Sequence, residues 1–380
     1  MSVEMRKQNF NQMLFLLYAA VVSIMACVLF LIYSGNAAEA VRRGITICGA
    51  SVIPSLFPMM LLSQYIVKSG AADLAGSLLD KPARLLFGLP GICGVALLTA
   101  LIGGYPAGAR AAETLVSDKK ITRREGERLA NMAFCSGPGF AIGMIGAELY
   151  KNKTAGLLIL TAQAISCIII GIAQRLISGS GNVTSSKSDD SVRNISRSPD
   201  AFVQSAANTA STMLNMCSFI ILFQVITEML NSSGVNNALG MLAEHFGFGE
   251  FGRIILPCAA EVTAGSMLSV RFGIQFTAFV AGFGGLSVHF QNFAICSTVR
   301  PRKSLYILTR MTQGAICSLI VWLALKLPFF SSMALPTSGN AASTIPAEFS
   351  RVSVGFGCAM LVMCLMSVIC LPSEKEITDQ

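Results

Sequence analysis

The sequence predicts an all-α polytopic membrane protein made of two inverted repeats with re-entrant hairpins and discontinuous helices, plus extra N- and C-terminal membrane helices. Three observations lead there. Of the 380 residues, 53% are hydrophobic and only 13% charged, with a mean hydropathy of +0.64, so lipid is the solvent for most of the chain. The apolar runs are interrupted by Gly and Pro beside charged residues, at Gly103-Gly104-Tyr105-Pro106 with Arg110 and again around Glu261. The same order of segments also occurs twice. The net charge of +8 comes from basic residues in short loops between apolar runs, which membrane topology explains and nucleic-acid binding does not.

Met13 to Tyr33 reads as a membrane anchor (domain 1–40), because its apolar core is longer than the roughly 7–15 residues of a signal peptide. Ile45 to Val67 is the next span, bent by Pro54 and Pro58. A short amphipathic piece covers Leu74 to Leu79. Gly91 to Ala112 is broken at Gly103-Gly104, Ser117 to Arg128 reads as a solvated helical hairpin, and Asn131 to Tyr150 is interrupted at Ser136-Gly137-Pro138. Ala155 to Ile177 closes the first repeat (41–178). Residues 179–204 form a polar linker whose core, Gly179 to Asp200, is rich in Ser, Asn, Asp and Gly. The second repeat (205–330) then runs through Ala206 to Met229, Ile254 to Val270 with Glu261, Thr277 to Cys296 with Gly284-Gly285, and Leu305 to Leu327. Region 331–380 holds a linker, Ser331 to Ser350, a last span near Gly355 to Leu371 and an acidic tail.

The repeat shows in matched residues. Lys153, Gln163 and Cys167 correspond to Lys303, Gln313 and Cys317, and Ser51, Gln64 and Ile66 correspond to Ser211, Gln224 and Ile226. If Gly91 to Ala112 is re-entrant and the first anchor starts in the cytoplasm, the loops with Lys68, Lys81 and Arg84, Lys119 to Arg128, Arg175 to Arg197 and Arg300 to Lys303 all fall on the cytoplasmic side. Three full spans per repeat then invert the second copy. Only Arg42 and Arg43 break the rule. Inverted repeats with interrupted helices are a pattern of secondary transporters, whose sites lie near the midplane.

An ionisable group deep in lipid is costly and marks a candidate site. A helix starting near Pro106 would hold the Arg110 guanidinium near its N-terminus, where it suits a carboxylate; pairing with Glu113 is the plainer alternative. Glu261 is read as a coupling group for H+ or Na+, a substrate contact, or a neutralising partner of Arg110 or Arg271. Thr263 and Ser266 follow it. Ser136, Gly137, Ser287, His289 and Gln291 sit at candidate hairpin tips, and Tyr105 either stacks on substrate or anchors its turn. The twelve Cys are taken as packing residues without metal spacing. With no nucleophile–base pair, phosphate loop or metal cluster, the chain is read as no enzyme and as needing no cofactor.

These motifs resemble a known family. Gly104-Tyr105-Pro106-Ala107-Gly108-Ala109-Arg110, Glu125-x-x-Arg128-Leu129, Gly137-Pro138-x-Phe140, Glu261-Val262-Thr263-x-Gly265 and Gly284-Gly285-Leu286-Ser287-Val288-His289-x-Gln291 resemble sporulation integral membrane proteins with nucleoside-recognition (gate) domains, over about Val41 to Leu327. The family is similar to concentrative nucleoside transporters. The resemblance implies broken helices, a bacterial cell-membrane location and transport of dipicolinate, an aromatic dicarboxylate, during sporulation. Cys135 and Ser136 depart from the Asn that relatives often carry at the first tip. The expected partners are a small anionic substrate and the bilayer, with no nucleic acid and self-association left open. A nucleoside-type permease and a non-transporting sporulation scaffold are the alternatives.

Overall fold

A computed structural model describes residues 2–69, 71–178, 199–247 and 251–327. Most of the polar linker core, the Ser331 to Ser350 linker, the last span and the acidic tail lie outside the described residues. Every regular element among the described residues is helical. In chain order they are α1 (Ser2–Ile32), α2 (Ser34–Ile47), α3 (Ile53–Lys68), α4 (Ala71–Phe87), α5 (Gly91–Gly103), α6 (Tyr105–Ser117), α7 (Arg123–Met132), α8 (Lys153–Ser178), α9 (Pro199–Ser232), α10 (Val235–His245), α11 (Phe251–Ala260), α12 (Val262–Ser269), α13 (Ile274–Phe283), α14 (Gly285–Ile295) and α15 (Lys303–Leu325). Two π-helical stretches, Cys48–Val52 and Gly139–Leu149, link α2 to α3 and follow α7.

Among the described residues, three stretches are long and apolar enough to cross a membrane: Lys153–Ile177 with 25 residues, Ala201–Ser232 with 32 and Lys303–Leu325 with 23. At about 1.5 Å per residue each exceeds a hydrocarbon core of roughly 30 Å. Leu16–Ile32 with Ser34–Ala50, bent by 93°, and Ala75–Phe87 with Gly91–Gly103, bent by 90°, raise the number to as many as five. The protein is an all-α, membrane-embedded chain.

The expected second span differs in detail. It has no loop before Ile45, because the helix runs from Ser34 through the π stretch into α3. Pro54 lies in the first turn of α3, and the wider π turn immediately before it absorbs the disruption, leaving Pro58 as the interior proline. The expected hairpin over Ser117 to Arg128 is shorter than the two helices that form it: it takes in the end of α6, the turn at 118–122 and the first six residues of α7. Thr122 and Glu125 form a reciprocal capping box that starts α7.

The described chain divides into two compact units, one of residues 1–43 with 224–256 and one of residues 44–223 with 257–327. In the first, Met25, Leu29, Leu230 and Val235 are buried together. There Arg43 Nη2 meets Glu228 Oε2 at 2.6 Å, so one of the two residues that broke the charge rule carries its counter-ion with it. All the candidate site residues belong to the second unit.

One pole of the second unit gathers its basic loops. Glu113 accepts hydrogen bonds from Ser297 Oγ at 2.8 Å and from the amides of Thr298 and Val299 at 2.9–3.1 Å. Arg302 donates to Glu127 at 2.9 Å, Arg123 to Val299 O at 3.1 Å, and Arg128 to the carbonyls of Phe87 and Gly88. Arg175, near the end of α8, packs over Gly88. The C-terminal end of α8 and the N-terminal end of α15 therefore meet the same pole, and these two helices run in opposite directions. The pair α5 and α6 leaves this pole and returns to it. Ala100 lies against Gly108, and Ser117 Oγ ends 3.5 Å from Thr298 Oγ1.

Candidate functional site

Four of the helix breaks inside the second unit meet in two crossings. The first brings the α5–α6 break at Gly104 against the break after α7, Ala133–Ser136. Both Gly104 (φ 85°) and Gly137 (φ 75°) are in the left-handed region, where side chains carrying a Cβ are strained. A Cβ on Gly137 would also lie 3.0 Å from Gly104 Cα and N, so only glycine lets the backbones touch. The second brings the α11–α12 break at Glu261 against the α13–α14 break at Gly284-Gly285, where a Cβ on Gly285 would lie 2.9 Å from Val262 N.

The first crossing is clamped by side chains from distant helices. Gln163 Oε1 on α8 accepts from Ser136 N at 3.0 Å, Ser136 Oγ at 2.7 Å and Cys135 Sγ at 3.2 Å. Gln313 Nε2 on α15 donates to Phe134 O at 2.6 Å. Arg310 donates to Asn131 O and to Gln313 Oε1. Its guanidinium lies 4.2 Å from the Phe134 ring centre and 5.1 Å from that of Tyr306. Tyr105 Oη donates to Ala281 O at 2.6 Å, tying this crossing to α13. Tyr105 and Pro106 are buried in the first turn of α6.

The second crossing relies on neighbours close in sequence. Glu261 Oε2 accepts from Ala264 N at 2.7 Å and caps α12, with Thr263 also turned to the carboxylate. His289 Nε2 lies 2.8 Å from Phe283 O, and Gln291 Nε2 donates to Ser287 Oγ at 3.2 Å. Glu261 Oε1, Ser266 Oγ, His289 Nδ1 and Gln291 Oε1 are buried without a hydrogen-bond partner.

Arg110 is elsewhere. It is the sixth residue of α6, a full turn past the N-terminal amides, whose partial charge fades within the first turn. Those amides face the Gly104–Gly137 crossing instead. Arg110 Nη2 donates to Thr212 Oγ1 of α9 at 3.0 Å. Neither Glu113 nor Glu261 is its hydrogen-bond partner: Glu113 caps the 297–299 loop and Glu261 caps α12. Arg110 instead lines a cavity of about 20 Å³ with Ser63, Gln64, Lys68, Thr99 and Thr114, room for about one water. Arg110 Nε and Gln64 Nε2 have no partner there, and Lys68 Nζ reaches Gln204 Oε1 at 3.3 Å.

Thus the structure brings Tyr105, Pro106, Ser136 and Gly137 together at one crossing, sets Glu261 against Gly285 at the other, and leaves Arg110 in its own polar cavity. Arg310, Asn131, Gln163, Gln313, Gln64 and Lys68 were not singled out as site residues from sequence. The signal for Arg310 was present, since a charge inside an apolar span is by itself a site hypothesis.

The chain is similar to the sporulation integral membrane protein YlbJ of Bacillus subtilis (strain 168), with 26% identity over 326 residues, covering 76% of this chain and 77% of that one. No family model matches the chain, and no solved structure matches it.

Proposed function

We propose that this chain is a multi-pass cell-membrane transporter of a small organic anion acting in sporulation, with dipicolinate as the candidate substrate, working by alternating access between two inverted halves. The observation that carries the reading is the Arg110 cavity. Two cationic side chains and several amide and hydroxyl groups converge at α3 and α6 in a chain otherwise apolar, and the guanidinium keeps an unpartnered donor there. A carboxylate matches that donor fork. At about 20 Å³ the cavity is closed to such a ligand, so loading requires α3 and α6 to separate. The opposed directions of α8 and α15, whose Gln163 and Gln313 occupy matching places, support the inverted-repeat part of the reading.

In this scheme Arg110 holds the anion, and Glu261, with one free carboxylate oxygen at a helix break, couples transport to H+ or Na+. The pole that gathers the basic loops faces the cytoplasm. The sporulation role and the substrate come to this chain from its likeness to a sporulation membrane protein and from the motifs quoted above. Proteoliposomes loaded with purified protein test it. Saturable uptake of labelled dipicolinate, not of nucleosides, is expected, with loss in Arg110→Ala. Nucleoside uptake alone would favour the permease alternative, and full dipicolinate uptake by the variant would remove Arg110 from the mechanism.

A further inference from the structure

Arg310 is a guanidinium at 0% exposure inside a membrane-embedded helix bundle, and among the described residues no carboxylate forms an ion pair or hydrogen bond with it. Its partners are a main-chain carbonyl, a glutamine oxygen and the faces of two rings. Those groups offer partial charges to a full one. A buried cation without a counter-ion is costly and is usually paired or functional. The surroundings are also incompletely satisfied: Arg310 Nε, Asn131 Oδ1 and Gln163 Nε2 are buried with no partner. Among these, Arg310 Nε and Gln163 Nε2 are donors, the polarity an anion needs.

The plain alternative is that Arg310 only staples the C-terminal carbonyls of α7. That accounts for Asn131 O but not for the choice of a permanent charge, since Gln313 holds Phe134 O in the same loop as a neutral amide. The two residues are also linked. Gln313 Oε1 occupies one arm of the guanidinium, where a ligand oxygen would otherwise bind.

We propose that Arg310 is a second contact for the transported anion, which replaces Gln313 Oε1 and Asn131 O on the guanidinium when the Ala133–Ser136 break draws away from α15. The proposal rests on the anion-transport reading above and adds a cation outside the Arg110 cavity. Binding here reorganises the first crossing, because the displaced groups are the ones that clamp it.

Gln313→Glu separates the two roles. A fixed carboxylate one helical turn from Arg310 supplies the missing counter-ion and competes with the ligand. The expected result, in proteoliposomes and by equilibrium binding of labelled dipicolinate to solubilised protein, is a rise in KM and Kd of about tenfold or more in a protein that still folds, the new ion pair offsetting the Nε2 bond to Phe134 O that the substitution removes. Arg310→Lys, which keeps the charge but loses the fork, is expected to raise KM about fivefold. A purely structural role predicts a folded Gln313→Glu protein with unchanged KM. Wild-type KM within about twofold in either folded variant overturns the proposal while leaving the transport reading intact. Absence of saturable uptake and binding in the wild-type protein sinks both.

Discussion

The two crossings are built alike and held differently. At the first, the bonds that fix the Ala133–Ser136 break come from residues 27–28 and 179 positions away in the chain. At the second, the bonds made by Glu261, His289 and Gln291 reach only 3, 6 and 4 positions. A break clamped from distant helices moves only if those helices move. A break satisfied locally moves as a piece, carrying its bonds with it. The first crossing is therefore the lock of the bundle and the second its freer joint, and the buried unpartnered oxygens of Glu261, Ser266 and Gln291 sit at the freer one.

Substitutions sharpen or break that contrast. The largest effect is expected at Gly137→Ala, which combines strain at φ 75° with a Cβ 3.0 Å from the Gly104 backbone. It should cost about 3 kcal/mol, seen as a large drop in the melting temperature of solubilised protein. Gln163→Leu comes next. It strips the acceptor from Ser136 N, Ser136 Oγ and Cys135 Sγ, for about 2 kcal/mol, and should speed maleimide labelling of Cys135 read peptide by peptide. Unchanged labelling would mean that the clamp is not what closes this break.

Smaller effects follow. Tyr105→Phe loses the single bond to Ala281 O, about 1 kcal/mol, measurable as a modest shift in the same melting assay. At the freer joint, Glu261→Gln keeps an acceptor for Ala264 N and should change stability by less than about 0.5 kcal/mol, while uptake loses its response to an imposed proton or sodium gradient. A destabilisation at Glu261 as large as that at Gln163 would erase the distinction between lock and joint.

The helix breaks were legible in the sequence, because Gly and Pro interrupt apolar runs for steric reasons that hold in any fold. Gly103-Gly104, Ser136-Gly137 and Gly284-Gly285 announce themselves in this way, and the re-entrant reading of Gly91 to Ala112 agrees with a pair of helices returning to one pole. The partners across the breaks were not legible. Which carbonyl Arg310 reaches, or that Gln163 and Gln313 hold the same loop, depends on contacts between residues 27 to 179 positions apart, and local pattern carries no trace of them. The placing of Arg110 beside the N-terminal amides failed for a countable reason: it is the sixth residue of α6, and its guanidinium meets α9 instead. Likewise Glu113 was weighed as a partner for Arg110, whereas the unpaired amides of Thr298 and Val299 offered the carboxylate more donors.

The returning pair α5 and α6 also bears on how the protein is made. Each has 13 residues, about 20 Å of helix, against a hydrocarbon layer of about 30 Å. Neither leg alone spans that layer, and the break in helical hydrogen bonding at Gly104 has no place among acyl chains unless protein covers it. During biogenesis this pair must wait at the surface until the helices that pack on it, α3, α4 and α14, are in place to shelter it, so the piece nearest the N-terminus of the lock is among the last to be seated.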